Sequence, residues 1–138
     1  MQDVAQGIER ALRRHTDVVV AYLFGSRARG TSGPLSDIDV AVLLRGDGHA
    51  LERRLSLMAD LAEVSGRERV DVVILNEAPV ALAYRVLRDG RLLFSRDERA
   101  RIEHRVRTVD RYLDMEPFRR VQEQGLRDRL REGRFGRP

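Results

Sequence analysis

Apolar residues along this chain come in two alternating kinds of run. Val18–Phe24 (VVVAYLF), Ile38–Leu44 (IDVAVLL) and residues 70–75 (VDVVIL) are rich in β-branched side chains, nearly unbroken and of strand length. Residues 91–94 (RLLF) make a shorter run, expected at a sheet edge. Elsewhere the apolar positions recur every three or four residues. Val4, Ile8, Ala11 and Leu12 predict an amphipathic helix over 3–14, and Leu51, Leu55, Met58, Leu61, Ala62 and Val64 predict another between Gly46 and Gly66. Pro79 suits the first turn of a helix running to Arg88, where its missing N–H costs nothing, and Asp89-Gly90 then turns the chain. From 97 to 113, Ile102, Val106, Val109 and Leu113 form a narrow stripe fit to pack on the domain or on a partner. Glu116-Pro117 is expected to break that helix. A second helix over 118–130 would carry Phe118, Val121, Leu126 and Leu130, and residues 133–138 would be frayed.

Strand and helix runs in this order predict an α/β fold, a small mixed sheet with helices packed against it and a C-terminal helical extension. No internal repeat or linker interrupts the chain, so residues 1–115 read as one domain and 116–138 as its tail. At 138 residues the domain can bury a proper core without staples. Cysteine is absent, which excludes disulfides, thiolate zinc sites and cysteine nucleophiles and fits a cytoplasmic location. No apolar stretch approaches the roughly 20 residues of a membrane-spanning helix, and the N-terminus lacks the apolar core of a signal peptide. A soluble, intracellular protein with no membrane partner is expected.

The formal charge is +4 with a pI near 10.5, and all 26 basic residues are arginine. Such a balance could attract nucleic acid, nucleotides or an acidic protein. The distribution argues against direct nucleic-acid binding, because arginines and acids are interspersed, as in Glu52-Arg53-Arg54 and Arg96-Asp97-Glu98-Arg99, the pattern of solvated, ion-paired helix faces. His15, His49 and His104 lack metal-ligand spacing and read as surface or helix-end residues, whereas Tyr22 and Phe24 read as core.

The chemistry gathers at residues 25–30 (GSRARG) and 36–40 (SDIDV). The first strand run breaks at Gly25, where the backbone can turn and come close to a ligand. Ser26 is placed to cap a helical turn through Arg27, Ala28 and Arg29, whose free amide N–H groups would make a phosphate cradle. Glycines at 25 and 30 have the P-loop spacing, but Thr31 stands where that motif needs lysine. Asp37 and Asp39 would point to the same side of a strand, with Cα atoms roughly 6.6 Å apart, and two like charges that close call for cations between them. An Asp-x-Asp pair alone is common at strand ends; after a strand-Gly-Ser turn it points to metal. Asp71 enters the third strand run, and from spacing alone it is equally a solvated strand end.

GSRARG followed by SDIDV resembles the signature of the polymerase-β-type nucleotidyltransferase superfamily. More narrowly, in a chain this short, it resembles the minimal nucleotidyltransferases, the antitoxin partners of HEPN-domain toxins. The likeness covers about the first hundred residues. It implies a polymerase-β-like fold, with Asp71 as a third catalytic carboxylate beside Asp37 and Asp39. Together these would hold two Mg²⁺ ions, or Mn²⁺, about 3.5–4 Å apart. It also implies that Gly25, Ser26 and the arginines Arg27 or Arg29 grip the triphosphate of ATP. The acceptor would be a tyrosine of a HEPN RNase toxin, silenced by transfer of AMP. Two alternatives stand beside this: a small-molecule nucleotidyltransferase of the aminoglycoside-modifying kind, and a binding-only antitoxin with a vestigial site.

Overall fold

The computed structural model describes residues 2–25, 38–46, 48–66 and 70–131. Their order is α1 (Gln2–Arg13), β1 (Val18–Phe24), β2 (Ile38–Leu44), α2 (Ala50–Ser65), β3 (Val70–Ile74), α3 (Val80–Asp89), β4 (Arg91–Ser95) and α4 (Glu98–Arg131). The strands form one sheet in the order β3-β2-β1-β4. β1 pairs antiparallel with β2 and β4, while β2 and β3 run parallel, as a crossover through α2 requires. The mixed α/β architecture is the one expected, with β4 at an edge.

Helices cover both faces of the sheet. On one, Ile38, Val40 and Val42 of β2 meet Ile8 and Leu12 of α1 and Leu57 and Leu61 of α2. Each such fully buried side chain contributes roughly 1.5–3 kcal/mol. On the other face, Tyr22, Ala41 and Leu43 pack with Ala83 and Val86 of α3. β2, central in the sheet, is therefore apolar on both sides, which is why its sequence is nearly unbroken. Val18 pairs with Leu44 but Val20 with Leu43, so Val19 is an extra residue in β1. That bulge turns Val19 and Val20 together into the second cluster. No helix among the described residues is long and apolar enough to cross a membrane.

α4 departs from expectation at its proline. It continues from Glu98 to Arg131 straight through Glu116-Pro117 instead of breaking there. A helix-interior proline costs roughly 3 kcal/mol, yet the arginine, glutamate and glutamine on either side are good helix formers and carry the rod across. The side chains of Phe118, Val121, Leu126 and Leu130, and residues 133–138 altogether, lie outside the described residues. The stripe, moreover, faces away from the sheet: Ile102, Val106 and Leu113 are 50%, 53% and 53% exposed.

The side of α4 turned inward carries His104 and Thr108, and Tyr112 stacks on Tyr84 of α3 with ring centroids 3.8 Å apart. His104 is buried, not the surface or helix-end residue expected, because at 3.6 residues per turn it lies roughly opposite the stripe. Asp97 caps the start, its Oδ1 accepting the Ala100 N–H at 3.0 Å.

Several arginines expected on solvated faces are cross-links instead. Arg53 donates to both carboxylate oxygens of Asp17 at 2.8 Å and to His15 Nδ1 at 3.1 Å. Since arginine can only donate, Nδ1 accepts, and the Nε2–H of His15 donates to Asp60 at 2.8 Å. Arg54 donates to the Val72 carbonyl, and Arg96 reaches the carbonyls of Arg13, His15 and Val18, closing the end of α1 against the sheet. Arg99–Glu103 and Arg101–Glu98 remain exposed pairs.

Candidate active site

β1 ends at Phe24, and Gly25 turns with φ +82°, in the left-handed region that favours glycine. The antiparallel register sets Phe24 opposite Asp39. A Cβ built on Gly25 would lie 2.5 Å from Asp39 Oδ2, so the turn and the carboxylate touch through the space a side chain would fill. In the parallel pair, the partner of Asp39 is Asp71. Each is the second residue of its strand. The α2 crossover starts β2 and β3 at the same end of the sheet, and that brings the two acids level.

Alternation places Asp39 on the side of Ala41 and Leu43, and Asp71 on the side of Val73 and Leu75, the face that α3 covers. Both acids are half-buried, on neighbouring strands about 4.8 Å apart. Two carboxylates presenting oxygens from one face, beside a turn without a side chain, fit a hard divalent cation. Among the described residues no three His, Cys, Asp or Glu come together, and Asp37, the third acid of the expected set, lies outside them. Ser26, Arg27 and Arg29 also lie outside the described residues.

A cavity of about 560 Å³ opens at this point, with Phe24, Gly25 and Asp39 on the sheet side and Arg85, Arg88 and Asp89 from α3 opposite. Arg88 is held by Asp89 through two 2.9 Å hydrogen bonds. Arg85 is exposed and has no ion pair among the described residues. Gly90 makes this possible: a Cβ there would meet the Val86 carbonyl at 2.4 Å and the Leu23 carbonyl at 3.4 Å, so only glycine lets the end of α3 close on β1. Sequence reasoning missed the α3 wall. The available signal was Arg85 and Arg88 one turn apart on the polar side of a helix whose Ala83 and Val86 are core.

Residues 6–99 match the family model described as polymerase beta, nucleotidyltransferase. No curated protein matches the chain. Among solved structures, a chain of a toxin–antitoxin complex with AMP-PNP aligns with a TM-score of 0.76 at 28% identity, covering 88% of this chain and 97% of that one. A chain of the MntA-HepT toxin–antitoxin structure gives 0.72 at 25% identity, over 91% and 98%. The tri-AMPylated Shewanella oneidensis HEPN toxin in complex with MNT antitoxin contains a chain that gives 0.72 at 25%, over 91% and 97%. The family model takes in the Gly25 turn and the paired acids of β2 and β3, and the chain belongs to the polymerase beta nucleotidyltransferase family.

Proposed function

We propose that this protein is a minimal nucleotidyltransferase acting as the antitoxin of a HEPN/MNT pair, transferring AMP from ATP to a tyrosine of its HEPN RNase partner. The observation that carries the reading is the register pairing of Asp39 with Asp71 beside the Gly25 turn, at the mouth of the cavity. The similarity to chains of complexes described with AMP-PNP and with an AMPylated HEPN toxin supports the nucleotide and the partner.

Asp37, Asp39 and Asp71 are the residues assigned to hold Mg²⁺, or Mn²⁺ in its place; when bound, the metal would offset the negative charge of the phosphate oxygens. Gly25 leaves the Asp39 carboxylate and the incoming phosphate chain room to approach. The Ser26 hydroxyl and the amides after it, with Arg27 or Arg29, are assigned to the triphosphate. Arg85 offers a guanidinium from the facing wall. In the transfer, the phenolic oxygen bonds to the α-phosphorus, the bond to the pyrophosphate oxygen breaks with its electron pair leaving on pyrophosphate, and the phenol's proton passes to water. Asp71 is assigned to the acceptor side.

Intact-mass spectrometry of the HEPN partner, co-expressed with this chain, tests the reading. Each AMP added raises the partner's mass by roughly 329 Da, as transfer with loss of pyrophosphate requires. The adduct is expected with the wild type and absent with Asp39→Asn combined with Asp71→Asn. A partner inhibited equally by wild type and double variant, at unchanged mass, would overturn transfer in favour of a binding-only antitoxin.

A further inference from the structure

We propose a second ligand site, separate from the transfer site: a pocket between α3, α4 and the far end of the sheet that binds a phosphate-sized oxyanion. The pocket has a volume of about 230 Å³. That is smaller than the roughly 300 Å³ at which pockets for drug-sized ligands begin, and leaves room for a small anion with its water. Its polar wall is one face of α4, where His104, Arg107, Thr108 and Arg111 follow each other at helical spacing. Its base is apolar, from Leu43 and Leu75.

Charge decides the class of ligand. No acid lines the pocket, and two arginines do. Neither has an ion pair among the described residues, although arginines elsewhere on the same helix, Arg99 and Arg101, are paired. The Thr108 hydroxyl, 3.4 Å from His104 Nε2, is a buried polar group on the same wall, and in the tautomer where His104 Nε2–H donates to it the hydroxyl proton is left for an oxyanion. The remaining polar residue, Asn76, is committed to the fold, its amide bonded to both the N–H and the carbonyl of Leu44. Two guanidinium groups one turn apart with a hydroxyl between them match the three or four oxygens of a phosphate.

The site is distinct from the transfer site. Leu43 lies four residues along β2 from Asp39 on the same face, roughly 13 Å away. The inference therefore stands whether or not the chain transfers AMP.

Amide NMR on the full-length chain, titrated with inorganic phosphate, tests it by position. Saturable shifts are expected at residues 104–111, with affinity at least roughly tenfold weaker in Arg107→Gln with Arg111→Gln, since hydrogen bonds to charged groups are strong ones. Both side chains are exposed, so the variant is expected to fold. Thr108→Val, close in shape, is expected to weaken binding without moving the amide spectrum of the core. Shifts confined to residues 23–25 and 38–40 would place the anion in the transfer site and overturn the proposal. So would non-saturating shifts, equal affinity in the double variant, or equal binding of acetate at matched ionic strength.

Discussion

Gly25 is the position where the smallest side chain should have the largest effect. Alanine there has to occupy φ +82° and place its methyl 2.5 Å from Asp39 Oδ2. Gly25→Ala is expected to lower stability by about 1 kcal/mol or more and to cut transfer by at least roughly a hundredfold through displacement of the carboxylate; urea unfolding and single-turnover transfer read the two separately. Arg85→Ala differs. An exposed residue without an ion pair contributes little to folding, so the melting temperature should hold while the affinity for ATP falls about tenfold, measured by calorimetric titration. The motif residues were legible because turn chemistry and the first acids lie within sixteen residues of one another, 25–40. Spacing alone did not separate Asp71 from a solvated strand end; the family resemblance singled it out, and the strand pairing sets it level with Asp39. Arg85 carried only a faint signal, its spacing from Arg88 on the polar side of α3, and among 26 arginines that spacing does not stand out.

At the scale of elements, polar groups fasten what the apolar pattern only outlines. The hydrogen bonds from Arg53, together with its charge, hold the Asp17 carboxyl below its ordinary value of 3.8. A carboxyl whose pKa falls on folding lends stability that is fully present above the unfolded value and lost as pH falls through the folded one. Arg53→Ala should therefore cost about 1 kcal/mol near neutrality and less below pH 3.8, as denaturant midpoints at the two pH values would record. Inside α4, burial, and secondarily the charge of Arg107, push the His104 pKa below 6.5. Its contribution is intact above 6.5 and lost as pH falls through the lower folded value, because the unfolded chain takes the proton first. His104→Phe should flatten stability against pH over that window. The same helix shows where sequence reasoning fell short: Ile102, Val106 and Leu113 have helical periodicity yet stay half exposed, while His104, expected at the surface or a helix end, is buried with Thr108. Periodicity reports that a face is apolar, not what covers it.

For the molecule as a whole, a 34-residue helix about 51 Å long follows three shorter described helices, α1 to α3, that pack on the sheet. Under the proposed antitoxin role, its outward stripe would be the face offered to a HEPN partner. Ile102→Glu with Val106→Glu should leave stability within about 0.5 kcal/mol, as both sites are half exposed, and should abolish co-elution with that partner on size exclusion. Co-elution of the variant would move the interface elsewhere. The sequence by itself determined the fold class and the described elements up to the start of α4, because runs of β-branched residues and three- to four-residue spacing are local signals, and it located the Gly25 turn and the first acids for the same reason. Tertiary structure alone decided three other things. The parallel crossover put Asp39 level with Asp71; Gly90 let α3 close on β1 and deliver Arg85 to the cavity; and α4 turned its polar side inward, forming the arginine-lined pocket. Each depends on residues distant in the chain meeting at one place, and local periodicity contains no term for that.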